Sequence, residues 1–531
     1  MKPYYITTPI YYANAKIHFG NIYTAIIADV YARSKRLLGY DVMFATGTDE
    51  NGQKMLQVAE AQGKDVMTFL DEVVAQDKEV MRLCDISYTD FIRTTEPRHH
   101  TFVQYILQKT YESGDIYQGE YEGLYCVGCE GFKKESDLIE YEWKKVCPDH
   151  LKEPEKIKEK NRFFRLSKYE EKLKDLYKKN PQLLQPQYRY NEVIAFVEWW
   201  LEDFSISRQH STFGITLPFD ASSVTYIWYD ALLNYLTVVV DHYDESGNPI
   251  FKSHADVMVH TLGKDISRFH AIYRPAMLMA ANLTHLIPTS EYIGWFFTVD
   301  GQKMSKSLGN TIYAEDLCAE YDRDAMVFYL LYDIAQWADG DFSRERFKNV
   351  YESMLMWGRG NLVSRVTKLA QKEGITIAKE NSKLLCPTNT FNTLWLHLLT
   401  FNDKSIESYF DNANLSIYLQ DRYQIVQRAN GYMQEQAPWT KLKSEETKAD
   451  GIADLQFLLW MVKQLTLLSA PFLTNSFKKV QEILGNSLLN QIDSSVNLTD
   501  PELFAKVFNL TEFDVQLQAD VVYQKKESIN S

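Results

Sequence analysis

The opening of the chain commits it to a parallel sheet. Tyr4-Tyr5-Ile6-Thr7-Thr8 is apolar, aromatic and β-branched on both faces. Such a strand must be covered on both sides, the condition of strands in α/β folds. The pattern predicts that Pro9 ends the strand and that Tyr12-Ala13-Asn14-Ala15-Lys16 forms a loop. From Asn21 onward, Ile22, Ile26, Ile27, Val30, Leu37 and Leu38 recur at spacings near three and four. A helix is therefore predicted to begin there, with Asn21 near its N-cap. Residues 41–46 and 257–262 read as further buried strands.

His18-Phe19-Gly20-Asn21 lies where strand passes to helix. A helix start offers free N–H groups to an anion, and Gly20 lets a phosphate approach the backbone closely. His18 can hydrogen-bond or carry charge toward that phosphate; by itself it fits a structural histidine beside a cap equally well. Far downstream comes Lys303-Met304-Ser305-Lys306-Ser307, between Asp300-Gly301 and Leu308-Gly309-Asn310. Two lysines in a glycine-bounded loop form a mobile cationic clamp. A compact ammonium on a flexible stem suits a pyrophosphate leaving group.

Cysteine spacing points to metal. Cys126 and Cys129 form Cys-x2-Cys, and Cys147 and His150 form Cys-x2-His, with Gly128 and Pro148 inside the two corners. Two such corners close a tetrahedral Cys3His zinc site of the structural type, with no open position for chemistry. Cys84, Cys318 and Cys386 stand alone in apolar or helical contexts and read as buried thiols.

At 531 residues, the chain is expected to divide into several units. Residues 1–115 and 221–344 read as two halves of a nucleotide-binding, Rossmann-like parallel-sheet domain. Residues 116–220 form a Lys- and Glu-rich insertion carrying the knuckle, and 345–531 an α-helical bundle. The richest apolar stretch, 457–473, is interrupted by Lys463 and Gln464, so no membrane span is expected. Residue 1 leads directly into a strand without a cleavable-signal pattern, which predicts a cytoplasmic location. A net charge of −14 argues against indiscriminate nucleic-acid binding, so any RNA partner needs a local basic surface.

The two motifs together resemble the His-Ile-Gly-His and Lys-Met-Ser-Lys-Ser signatures of class I aminoacyl-tRNA synthetases. The whole chain is similar to the methionyl-tRNA synthetase family in its single-knuckle form. The second signature is complete. In the first, Asn21 stands where the family has a second histidine; it donates a neutral hydrogen bond but cannot become cationic. The resemblance implies activation of methionine by ATP to methionyl-adenylate and pyrophosphate, then transfer to the 3′-terminal ribose of initiator and elongator tRNA(Met). It implies that His18, Gly20, Asn21, Lys303 and Lys306 hold ATP, with Mg2+ sharing the phosphate charge. His18, Asn21, Lys303 and Lys306 are the implied catalytic residues.

By the same resemblance Ile10, Tyr12, Asp49, Trp228, Ala231, Leu232, Tyr235, Ile266 and His270 line the methionine pocket. Leu232 stands where some members carry proline. Read alone, the stripe Trp228, Ala231, Leu232 and Tyr235 equally suits core packing on one helical face. Asn361, Arg365, Asn430, Pro438 and Trp439 match anticodon-binding positions, with Pro438 breaking a helix so that Trp439 projects. A buried Trp439 and a solvated Arg365 fit those residues as well. A monomer is expected, as is competition from homocysteine, because one methyl discriminates by only about 1–3 kcal/mol. A cysteinyl enzyme, which uses zinc to hold substrate thiolate, is disfavoured by a closed Cys3His set. A zinc-containing RNA-binding protein that retains a degenerate nucleotide fold is encouraged only by Asn21 and opposed by the intact lysine loop. A nucleotidyltransferase outside translation would account for the α/β half and leave the helical end idle.

Overall fold

Six strands, all parallel to their neighbours, form the central sheet. The computed structural model describes residues 1–126, 131–133, 135–141, 143–148, 151–199, 201–209, 211–294, 297–304, 310–334, 340–375, 408–409, 414–484 and 522–524. In chain order the elements are β1 (Pro3–Tyr12), α1 (Phe19–Leu37), β2 (Asp41–Asp49), α2 (Val66–Leu83), β3 (Asp90–Arg93), β4 (Leu184–Gln185), β5 (Met258–Gly263) and β6 (Ser290–Gly294). The sheet order is β3-β2-β1-β5-β6-β4. Tyr5, Ile6, Thr7 and Thr8 are all buried, as expected for a strand covered on both faces.

Two boundaries differ from expectation. Pro9 does not end β1, which runs to Tyr12; the register against β2 shifts between Thr7 and Ile10. A proline lacks the N–H that a ladder needs, and an irregularity in pairing is where a strand tolerates that loss. The helix begins at Phe19, with His18 as the N-cap and Asn21 inside the first turn. The expected helical face around Trp228 is also broken, into Ile227–Ala231 and Asn234–Thr237.

The insertion is built on a long antiparallel pair, Ile116–Cys126 against Glu155–Phe164. It also returns a strand to the central sheet, since β4 pairs with β6. After β6 a small sheet forms from Phe297–Val299, Gln302–Lys303 and Gly340–Phe342. Helices follow: α3 (Ala314–Glu320), α4 (Arg323–Tyr332), α5 (Asn361–Lys372), α6 (Leu415–Gln436), α7 (Lys448–Leu468) and α8 (Thr474–Leu484). No strand occurs after Phe342 among the described residues.

By length and composition α7 could cross a membrane, which the interrupted stretch at 457–473 did not suggest. In the fold, 83% of its apolar window is buried by neighbouring helices. A helix apolar all round is what the centre of a bundle requires.

Buried charge joins the sheet to the bundle. Arg323 donates to Asp29 of α1 at 2.8 Å, to the Cys84 carbonyl at 2.9 Å and to the Phe472 carbonyl at 2.7 Å. Asp324 accepts the N–H groups of Asn475 and Ser476 at the start of α8. Cys84 is buried as expected, but Cys318 is only part-buried, and the two do not stand apart: the neighbouring Cys318 and burial raise the Cys84 pKa. Cys386 lies outside the described residues.

Candidate active site

The start of α1 is closed by a reciprocal pair of side-chain bonds. His18 Nδ1 accepts the Gly20 N–H at 3.1 Å, and Asn21 Oδ1 accepts the His18 N–H at 3.1 Å. Such caps stabilise a helix by roughly 1 kcal/mol and fix the entry angle of the chain. A Cβ on Gly20 would meet the His18 ring at 3.1 Å and the Met304 methyl at 3.7 Å. The Met304 methyl, beside Lys303, therefore lies close to the histidine motif. The same neighbourhood is stitched by the Phe19 N–H, which donates to the Ile312 carbonyl at 3.1 Å.

Lys303 lies in a short strand, with its backbone paired to Thr298. Asp300 and Gly301 both have positive φ, 48° and 74°, the combination of a tight hairpin turn whose twist matches its strands. Asp341 accepts from the Gly301 N–H at 2.8 Å and from the Thr298 hydroxyl at 2.6 Å, pinning the tip. Ser305, Lys306 and Ser307 lie outside the described residues. Between α1 and the carboxyl ends of β5 and β6 lies a small cavity of about 10 Å³. Its walls are Tyr23, Thr24, Ile27, Thr261, Leu262, Gly263, Tyr292 and Gly294. The cavity is only water-sized, but it lies at the carboxyl ends of strands, where open α/β sheets hold ligands.

The second cluster gathers around the ends of β1 and β2. Ile10 and Tyr12 lie in the last part of β1, Asp49 ends β2, Ala231 and Tyr235 are buried on the two short helices, and Leu232 is buried in the turn between them. Asp49 lies close enough to Tyr235 to contribute to its raised pKa, of which burial is the larger cause. His270 sits in a π-helical turn, Phe269–Tyr273, four residues after the part-buried Ile266. Its Nδ1 donates to the Ile266 carbonyl at 3.0 Å, so the neutral ring presents Nε2 as an acceptor. Tyr235 Oη donates to that nitrogen at 2.7 Å. Burial lowers the His270 pKa to about 3, and the ring stays uncharged at neutral pH. Trp228 stacks on Phe269 at 3.9 Å between centroids.

Several participants are not visible in the sequence pattern. Phe269 completes the aromatic wall. His260, on β5, lies 4.3 Å from the Tyr235 ring and bonds Thr7 at 2.6 Å. Asn51 joins Thr94 to Asp230. None carries a local signal, because each is defined by a contact between distant segments.

The family described as tRNA synthetases class I (M) matches residues 4–367, and the anticodon binding domain of methionyl tRNA ligase matches 399–507. A methionine–tRNA ligase of Caldanaerobacter subterraneus subsp. tengcongensis is 40% identical over 486 residues, covering 91% of this chain and 74% of the relative. That of Synechocystis sp. is 40% identical over 491 residues, covering 90% and 89%. The chain belongs to the methionyl-tRNA synthetase family. The Mycobacterium tuberculosis methionyl-tRNA synthetase in complex with methionyl-adenylate superposes with a TM-score of 0.89 at 30% identity, covering 99% of this chain and 100% of that one. Like its relatives, this synthetase is an ATP-dependent ligase that activates methionine and charges tRNA.

In this synthetase the expected anticodon residues converge on one part of the bundle. Helix α6 ends at Gln436, Ala437 turns left-handed with φ 43°, and Pro438 starts a short helix. Trp439 is half-buried rather than fully projecting, and the Arg365 guanidinium lies 5.2 Å over its ring. Asn361 and Arg365, one turn apart at the start of α5, are both part-exposed. Asn430 spends its amide nitrogen on the Gly358 and Val426 carbonyls, at 3.1 and 3.0 Å, and ties α6 to the segment before α5. Of the expected metal ligands, Cys126 and Cys147 are buried, while Cys129 and His150 lie outside the described residues.

Proposed function

We propose that the start of α1 and the Lys303–Lys306 segment form two sides of one ATP site. The proximity of the two motifs carries this reading: a Cβ on Gly20 would lie 3.7 Å from the Met304 methyl, and the Phe19 N–H donates to the Ile312 carbonyl just beyond the lysine loop. The methionine carboxylate attacks the α-phosphorus in line, and pyrophosphate leaves. Positioning and charge stabilisation supply most of the catalysis in such phosphoryl chemistry. His18, Gly20 and Asn21 hold the phosphates from the helix start; Lys303 and Lys306 close over the departing pyrophosphate, with Mg2+ sharing its charge. The 3′-terminal ribose hydroxyl of tRNA then attacks the activated carbonyl, and AMP leaves.

Asp49 takes the methionine ammonium. Ile10, Tyr12, Trp228, Ala231, Leu232, Tyr235, Ile266 and His270 enclose the side chain, where rings beside sulfur contribute roughly 0.3–1.5 kcal/mol each. Asn361, Arg365, Asn430, Pro438 and Trp439 read the anticodon, and initiator and elongator tRNA(Met) are both substrates. The domain limits are those read from the sequence, and the enzyme works as a cytoplasmic monomer.

Zinc bound by Cys126, Cys129, Cys147 and His150 supports the fold of the insertion. The chemistry of the donors fits: two buried thiols lie in a region whose Ile139, Tyr141, Trp143 and Leu151 are exposed, so apolar cover alone is thin. ATP–pyrophosphate exchange across amino acids tests the catalytic reading. Exchange driven by methionine, and lost in Lys306→Ala with methionine affinity retained, is expected. Exchange driven by cysteine or isoleucine, and not by methionine, contradicts it.

A further inference from the structure

Asp77 lies on α2, outside both signature motifs, and is fully buried. Its Oδ1 accepts the Ile17 N–H at 2.9 Å, one residue before the His18 cap. The neighbours of Ile17 are held from another direction. Lys16 pairs with Glu315 on α3 and lies 4.8 Å over the Tyr313 ring. The Phe19 N–H donates to Ile312. Ile312, Tyr313 and Glu315 all belong to the segment that leaves the lysine loop. One short stretch, residues 16–19, is therefore gripped by a fixed post on α2 and by the exit of the second motif. Burial lifts the Asp77 pKa to about 7, against the opposing effects of the Ile17 N–H and Lys16. A carboxyl kept in so unfavourable a place, with one backbone bond as its hydrogen bonding among the described residues, is poorly explained by packing alone.

We infer that Asp77 is a positioning residue for the nucleotide site: it fixes the backbone before His18 so that, through the Lys16–Glu315 clasp, both motifs meet the triphosphate as one unit. This rests on the proposal that His18 and the lysine loop share that triphosphate. Asparagine at position 77 keeps a carbonyl oxygen for the Ile17 N–H, and alanine does not.

In methionine-driven exchange, Asp77→Ala should raise the KM for ATP about tenfold or lower kcat by as much, the scale of a small misplacement of catalytic groups. Methionine affinity should stay within about twofold, and Asp77→Asn should recover most of the loss. A folded Asp77→Ala enzyme with normal ATP kinetics overturns the inference. So does a parallel fall in methionine affinity, which is the mark of general damage. Should Asp77→Ala fail to fold, Lys16→Met and Glu315→Gln decide the matter. Each should weaken ATP use, the double variant no more than either alone; additive losses, or none, overturn the coupling. His18→Ala and Lys306→Ala controls separate the two levels. If these spare ATP kinetics, the shared site itself fails; if they impair it while Asp77→Ala does not, only the positioning role fails.

Discussion

Tyr235→Phe removes one hydroxyl and nothing else from the proposed methionine pocket. That hydroxyl donates to His270 Nε2 at 2.7 Å, while the other ring nitrogen is committed to the Ile266 carbonyl. His270 is only 2% exposed, so water does not readily replace the lost donor. A buried acceptor left unpaired costs about 1–3 kcal/mol, and this should appear as a loss of unfolding free energy in a denaturant titration. The imidazole then has one anchor instead of two, and its contact with a thioether loosens. Such a contact is worth roughly 0.3–1.5 kcal/mol, so the methionine KM in exchange should rise by about two- to tenfold. Turnover at saturating methionine should change little, because His18 and the lysine loop are untouched. Unchanged stability together with unchanged methionine KM would refute this reading of the pair.

Gly20→Ala puts a methyl 3.1 Å from the His18 ring and 3.7 Å from Met304. Exchange should fall by at least about tenfold with methionine binding intact, as isothermal titration would show. Glu291 has neither carboxylate oxygen hydrogen-bonded among the described residues, and burial raises its pKa to about 8. The folded state therefore holds a proton that the unfolded chain releases near pH ~4.3, and stability declines from there until about pH 8. Glu291→Gln should escape that decline, so its thermal stability relative to wild type should climb across this window and level off above it. For Trp439→Ala, tRNA charging should drop while methionine-dependent exchange survives; losing one stacked base typically costs about 1–3 kcal/mol. Loss of both activities would make Trp439 purely structural.

Periodic, long elements were readable from the residues: β1, α1 and the strand at residues 257–262 stand where the pattern predicts to within a few residues at their ends, and the described residues after 345 are mostly helical. The misjudged points have local causes. Pro9 looks like a terminator because sequence does not reveal the register shift that absorbs it. His18 is not among the usual capping residues, so the pattern sets the helix start at Asn21. Asp300-Gly301 did carry a signal, a hairpin turn dipeptide, which would have put Lys303 on a strand. Phe269 against Trp228, Cys84 against Cys318 and Asp77 against Ile17 each join remote segments, and no spacing rule reaches them.

Amide hydrogen exchange of the full chain, with methionine and a non-hydrolysable ATP analogue, tests most directly whether one nucleotide bridges the two motifs. Protection should rise in residues 16–24 and 297–312 together, with the same dependence on analogue concentration. Protection confined to one of these segments, while the other exchanges as in the free enzyme, would contradict a shared site.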